Sequence, residues 1–190
     1  MAPLRESLRR LSADERDRPW AGTVPRVLAP AASFSDVILA IHILAVVVAF
    51  GVTFAYPIFV VWGGRQDPRA MPWLHRVQQR IGQRLISPGL GVVLLAGIYL
   101  ASHEHQWSKF YVGWGLAAVV VIGAIEGGFM VKNEGRIADI AARDVAAAGD
   151  GDVVWSSEYE GLLRRLGAVG ALLDLIVVVT VLFMALHLGA

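Results

Sequence analysis

Residues 36–62 read DVILAIHILAVVVAFGVTFAYPIFVVW, and this segment decides the class of fold. After Asp36, 26 consecutive residues carry no charged side chain apart from the titratable His42. At a rise of about 1.5 Å per residue, a helix of this length crosses the roughly 30 Å hydrocarbon core of a bilayer. The sequence therefore predicts an integral membrane protein, and Gly51 and Pro57 predict a bend within the first span.

Three further apolar segments have the length of a membrane span. We predict the four spans at residues 36–62, 81–102, 108–131 and 166–188. Because the connections between them are short, the fold class is an all-α membrane protein with an up-down-up-down bundle of four transmembrane helices. This predicts one transmembrane domain, residues 35–190, in which the lipid bilayer is the main partner.

The preceding residues 1–34 form a polar segment without the features of a cleaved signal peptide. Leu4, Leu8 and Leu11 recur at helical spacing among arginines, which predicts a short amphipathic N-terminal arm on the lipid surface. The two long connections, residues 63–80 and 132–165, are rich in arginine. The positive-inside rule then predicts cytoplasmic connectors, termini outside, and a multi-pass protein of a cell membrane, the bacterial inner membrane. A surface helix is predicted over residues 137–148.

The composition excludes several classes of function. The net charge of +1 gives no reason to expect a nucleic-acid partner. The absence of cysteine excludes disulfides, thiolate metal sites and iron–sulfur clusters. No Ser/His/Asp or His-Glu-x-x-His arrangement is present, so we expect no enzyme. A bundle of four helices is too small for a wide pore, and we therefore expect a homo-oligomer or a partner membrane protein.

Ionisable residues inside the spans are the first candidate site. On helical wheels Arg84, Glu126 and Asp174 fall on the small and polar faces of three spans, in the same half of the membrane. Thr53 and Tyr56 reach a similar depth from the first span. Charges within the hydrocarbon are costly, face the bundle interior and find partners. We therefore predict an Arg84–Glu126–Asp174 cluster, which is either a structural ion pair that fixes helix register or a site for a proton or a cation.

Histidines are the second candidate site, because imidazoles suit copper, zinc and haem iron. Four of the five lie on the terminus side of the bundle or just below it: His42, His103, His105 and His187. A haem held by His42 and His187 is one interpretation, although His187 lies about 140° around its helix from Asp174. The alternatives are an interior hydrogen-bonding role for His42 and simple exposure for His103 and His105.

One resemblance joins these features. It rests on His42 followed by a small and apolar run to Gly51, on a second span with Pro88-Gly89-Leu-Gly91 and Ala96-Gly97-Ile-Tyr99, and on Trp107 and Trp114. Over about residues 36–130 this pattern resembles a four-helix bacterial family of predicted integral membrane proteins of unknown function. It is similar to the membrane domain of copper-resistance protein D. The resemblance implies copper handling, with His42 as the matching ligand.

Three hypotheses follow for the function. The first is a small integral membrane protein with a structural or accessory role, without catalysis and without a cofactor. The second is a haem- or copper-binding membrane protein that uses His42. The third is a proton or cation conduit through the cluster of Arg84, Glu126 and Asp174.

Overall fold

The computed structural model describes residues 33–187, so the predicted N-terminal arm and residues 188–190 lie outside the described part. Four helical segments are long and apolar enough to cross a membrane, which confirms the predicted all-α membrane bundle. We number them in order as span 1 (Phe34–Gln66), span 2 (Pro68–His103), span 3 (Phe110–Ala148) and span 4 (Ser157–Leu186). No β-strand occurs within residues 33–187.

Span 1 is interrupted near its middle. It consists of α1 (Phe34–Phe50), a 3₁₀ turn (Thr53–Ala55) and α2 (Tyr56–Gln66). The interruption begins at Gly51, and Pro57 occupies the first turn of α2. A proline is tolerated there because the first N–H groups of a helix have no intrahelical acceptor. The 3₁₀ turn therefore brings Thr53 to a place where the regular helix is broken.

Spans 2 and 3 each contain one π-helical turn, and the two turns contact each other. Span 2 comprises α3 (Met71–Ile81), the turn Gly82–Ile86 and α4 (Ser87–His103). Span 3 comprises α5 (Phe110–Ile125), the turn Glu126–Met130 and α6 (Val131–Ala148). Side chains bind carbonyls at both turns: Ser87 Oγ donates to Gly82 O at 2.9 Å, and Asn133 Nδ2 donates to Phe129 O at 2.8 Å. Such bonds are what a membrane helix needs where its backbone pattern changes.

Neighbouring spans run antiparallel, as an up-down-up-down bundle requires. A Cβ atom built on Gly89 would lie 2.8 Å from Ala49 Cβ, and one built on Gly97 would lie 3.3 Å from His42 Cε1. Between spans 3 and 4, Trp114 Nε1 donates to Thr180 Oγ1 at 3.1 Å. Span 4 also contacts the 3₁₀ turn of span 1, which completes the bundle.

Spans 2 and 3, at 36 and 39 residues, are longer than a bilayer requires. At about 1.5 Å per residue they exceed the roughly 30 Å hydrocarbon core by some 20 Å or more. The excess is α3 and α6, which pack together and against the start of α7 (Ser157–Leu186). We call α3, residues 135–148 of α6 and residues 149–165 the connector part, and the remainder of the spans, Glu134 included, the membrane part.

The connector part has its own buried core. Its apolar members are Met71, Ile137, Ala138, Ile140, Ala141 and Tyr159. The helix predicted over residues 137–148 is thus present, but one of its faces is buried against α3 rather than exposed at a surface. The helix ends at Gly149, whose φ of +54° is a conformation that glycine adopts readily.

Candidate functional site

Two buried glutamates converge where the π turns meet. Glu126 and Glu134 are only 6% and 5% exposed. A Cβ atom built on Gly82 would lie 2.8 Å from Glu126 Oε1 and 3.6 Å from Glu134 Oε2. Because both distances start from the same Cβ position, the two carboxylate oxygens are at most about 6.4 Å apart. Gly82 therefore leaves the space that the two carboxylates occupy.

The π turn in span 3 aligns the two glutamates on one side of the helix. They are eight residues apart, whereas two α-helical turns take up about 7.2 residues. A π turn takes up about one more residue, so that eight residues complete two whole turns. In an uninterrupted α-helix Glu134 would point about 80° away from Glu126. Sequence reasoning missed Glu134 because it assumed a uniform period and assigned this residue to the connector.

The pair lacks the partners that buried charges usually have. Within residues 33–187, neither glutamate forms an ion pair with a lysine, an arginine or a histidine. Glu134 Oε2 is buried without a hydrogen-bond partner, and so is the hydroxyl group of Tyr56. Tyr56 lies close enough to interact electrostatically with both carboxylates. A third polar group from span 1 thus faces the pair.

A third carboxyl group, that of Asp174 in span 4, contacts span 1 at Thr53, one helical turn before Tyr56. Thr53 Oγ1 is 2.6 Å from Asp174 Oδ1 and 2.8 Å from the carbonyl oxygen of Phe50. A threonine hydroxyl has one proton to donate. Either this proton is shared between Asp174 Oδ1 and the Phe50 carbonyl oxygen in a three-centre hydrogen bond, or Asp174 is protonated and donates to Thr53. Because Thr53 and Tyr56 are three residues apart, this contact continues the polar line that begins at Glu126 and Glu134.

The predicted Arg84–Glu126–Asp174 cluster is not formed. Arg84 is exposed and has no ion-pair partner in the described part of the chain. The side of span 2 that faces the bundle carries Gly82, Ile86 and Leu90, which are buried. The small and polar face of this span points outward, because the bundle interior is filled by apolar side chains. An arginine at the end of an apolar segment can extend its guanidinium group to the headgroup layer.

The histidines do not converge. His42 packs beside Gly97 of α4, and its Nδ1 atom is buried without a hydrogen-bond partner. His187 lies edge-on against Tyr111 of α5, with ring centroids 5.4 Å apart. His42 and His187 thus contact different helices.

His103 is the last residue of α4, and His105 lies in the turn that follows it. His103 stacks on Tyr99 at 5.6 Å, and His105 is exposed in the turn with a φ of +53°. In residues 33–187 no group of three or more histidine, cysteine or acidic side chains could hold a metal ion. Haem or copper binding through His42 stays a prediction.

One buried polar network was missing from the sequence interpretation. His75 is fully buried in the connector part, with Nδ1 3.0 Å from Gln78 Oε1 and Nε2 3.0 Å from the hydroxyl oxygen of Tyr159. Both ring nitrogens therefore have a partner, which is the arrangement of a structural histidine. Only the i, i+3 spacing of His75 and Gln78 could have indicated part of it, because Tyr159 is distant in sequence.

Comparison of the chain with protein-family models, curated proteins and solved structures finds no match. The resemblance to the membrane domain of copper-resistance protein D consequently stays a prediction. What the chain does has to be argued from its own geometry.

Proposed function

We propose that this chain is a multi-pass cell-membrane protein in which Glu126 and Glu134 take up and release a proton at the connector end of the bundle. One observation carries the proposal. Two carboxyl groups that are each about 95% buried converge on Gly82, and Glu134 Oε2 has no hydrogen-bond partner.

The electrostatics favour a ligand of positive charge. Two like charges in a buried site repel each other, and each also loses its hydration. No lysine or arginine of the described residues neutralises the pair. A bound proton neutralises one of the two carboxylates and occupies almost no volume. Ca²⁺ takes six to eight oxygen ligands and Mg²⁺ keeps several of its waters, whereas two carboxylates and one phenol offer five oxygens in a site that is almost closed to solvent. The site therefore suits a proton better than a divalent metal ion.

The groups next to the pair extend it toward the middle of the membrane. Tyr56 lies within electrostatic range of both glutamates, and Thr53 contacts Asp174 one turn nearer the middle of the membrane along span 1. Asp174 lies nine residues beyond Arg165, or about 13 Å along the helix axis. Groups able to carry a proton thus follow one another from the connector end to about half the depth of the bilayer. Ionisable residues within a membrane commonly mark such relays.

The orientation in the membrane follows from the distribution of charge. Arginines and lysines cluster at the connector ends of the spans: Arg65, Arg69, Arg76, Arg80, Arg84, Lys132, Arg136, Arg164 and Arg165. The positive-inside rule then places the connector part in the cytoplasm and the other ends of the spans outside. In this orientation the glutamate pair exchanges protons with the cytoplasmic side.

Proton flux into proteoliposomes tests the proposal. The purified protein is reconstituted with an internal pH-sensitive dye, and a potassium diffusion potential drives proton entry. We expect Glu126→Gln and Glu134→Gln each to lower the flux about a hundredfold, the scale of a lost proton-transfer group. Glu104→Gln is the matched control, because Glu104 is an exposed carboxylate in the turn at the opposite end of the bundle.

Two results would contradict the proposal. The first is a wild-type protein that leaves liposomes as proton-tight as empty ones, which would favour the structural or accessory role. The second is an equal flux in the wild type and in both glutamine variants. Infrared spectra recorded as a function of pH give an independent readout, because a protonated carboxyl band must be lost in the variants.

A further inference from the structure

A groove runs along the outer side of α3 and α6, apart from the glutamate pair. Ala138 and Ala142 are one turn apart on α6, and their side chains end at Cβ. They therefore leave a cavity of about 320 Å³ beside Trp73, Arg76 and Arg80 of α3. This volume lies at the lower end of the range found for small-molecule sites, about 300–1,000 Å³.

Exposed tryptophans mark the level of this groove. Trp73 is 68% exposed, and Trp62 near the end of α2 is 65% exposed. The two helices pack at this corner, since a Cβ atom on Gly64 would lie 3.5 Å from Met71 Sδ. Tryptophan is enriched where a membrane meets water, because its ring is apolar and its N–H group is polar. The groove thus opens at the membrane–water interface.

The charge of the groove is positive on the side toward the membrane part. Arg76 forms an ion pair with Asp139, which neutralises it. Arg80 lines the groove at that end, and Arg84 follows four residues later within the π turn. Both are exposed and have no carboxylate partner within residues 33–187. Arg84 also lies at the connector end of the apolar segment of span 2. The two guanidinium groups are therefore at the depth of the lipid headgroups.

We propose that an anionic phospholipid binds at the membrane end of this groove, with its phosphate on Arg80 and Arg84 and its headgroup extending from them into the groove toward Trp73. The planar guanidinium group presents paired donors that match phosphate oxygens. The exposed side chains of Leu85 and Leu95, on the membrane side of Arg84, offer the acyl chains an apolar surface that a free phosphate ion cannot use. The cytoplasmic leaflet is the one that carries anionic lipids, in agreement with the proposed orientation.

Native mass spectrometry of the detergent-purified chain tests this site. Phosphatidylglycerol and phosphatidylcholine with identical acyl chains compete for the protein, and the ratio of the two adducts is measured. We expect a clear preference for phosphatidylglycerol in the wild type. Arg80→Gln combined with Arg84→Gln should lower that preference about thirtyfold, from the usual effect of two basic residues at a charged membrane surface.

The matched control combines Lys109→Gln with Arg164→Gln, which removes the same net charge outside the groove. A control that loses as much preference as the groove variant would overturn the proposal, because the effect would then be one of overall charge. Equal binding of the two lipids by the wild type would also overturn it. So would displacement of phosphatidylglycerol by inorganic phosphate at equal concentration, which would identify the occupant as a soluble anion. Retained preference in the control, with loss in the groove variant, supports the lipid.

Discussion

The connector part and the membrane part differ in whether their buried polar groups have hydrogen-bond partners. In the connector part, His75 has a hydrogen-bond partner on each ring nitrogen, and buried Asp144 accepts hydrogen bonds from Arg143 and Ser156. Where the membrane part meets the connector part, Glu134 Oε2 and the Tyr56 hydroxyl have no partner, and neither has His42 Nδ1 deeper in the bundle. The same chain therefore satisfies its polar groups in one region and leaves several of them unsatisfied in the other.

Under the proposed function, the unsatisfied groups are the ones whose cost in stability the proton site would explain. An unsatisfied buried polar group costs about 1–3 kcal/mol, and a charged one costs more. Such a cost persists in a folded protein where the group has a task, as for a ligand or a proton. The satisfied network of the connector part holds spans 2, 3 and 4 together. We interpret it as the rigid support on which the glutamate pair is mounted.

The largest effect is expected at Asp144, because its carboxylate joins α6 to the start of span 4. Asp144 Oδ2 accepts from Ser156 N at 2.9 Å and from Ser156 Oγ at 2.6 Å, and Ser156 is the N-cap residue of α7. Asp144→Ala should destabilise the protein by about 3 kcal/mol, the upper range for hydrogen bonds to a charged group. Asp139→Ala on the same helix is the control. Its exposed ion pair with Arg76 should be worth less than about 1 kcal/mol.

Thermal unfolding in detergent measures both variants. If Asp139→Ala lowered the melting temperature as much as Asp144→Ala, the connector part would owe its stability to surface charge rather than to its buried network. The comparison between the two regions would then lose its basis.

A smaller effect is expected in the membrane part, where spans 1 and 2 approach each other closely. A Cβ atom on Gly89 would lie 2.8 Å from Ala49 Cβ, and Ala49 is fully buried. Gly89→Ala should therefore push spans 1 and 2 apart and cost about 2 kcal/mol. Gly91→Ala on the same helix meets no atom within 4 Å and should be neutral or slightly stabilising. Equal melting temperatures for the two variants would show that the spans are not packed as described.

Hydropathy predicted the four spans because hydrocarbon contains no water to bind an exposed backbone. The fold class, the order of the spans and the interruption at Gly51 follow from that constraint. This constraint does not apply to the connector part, which lies outside the hydrocarbon. There the mixture of alanines and charged residues did not predict how much of α6 is buried. That burial depends on contacts between α3 and α6, which are about 60 residues apart in sequence.

The candidate site was predictable only in part, for a geometric reason. A fixed period of about 100° per residue placed Glu126, Asp174, Thr53 and Tyr56 on inward faces. The structure brings Thr53 to Asp174 and places Tyr56 within electrostatic range of Glu126. The same period placed Arg84 on an inward face of span 2, and it did not identify Glu134 as an inward residue of span 3. Each π turn changes the angular position of every residue beyond it. No residue pattern in spans 2 and 3 marks a π turn as strongly as a proline marks a kink.

The smallest effect gives the most direct test of the difference between the two regions. It compares two tyrosines, one with a hydrogen-bond partner and one without. The hydroxyl group of Tyr159 is 3.0 Å from His75 Nε2, whereas the hydroxyl group of Tyr56 is buried without a partner. Tyr159→Phe leaves a buried imidazole nitrogen unpaired and should cost about 1 kcal/mol. Tyr56→Phe removes a polar atom that bonds nothing, so its melting temperature should match or exceed that of the wild type. If proton flux falls in this variant while stability does not, the hydroxyl group of Tyr56 serves the glutamate pair and not the fold. A loss of stability equal to that of Tyr159→Phe would mean that both regions satisfy their polar groups alike.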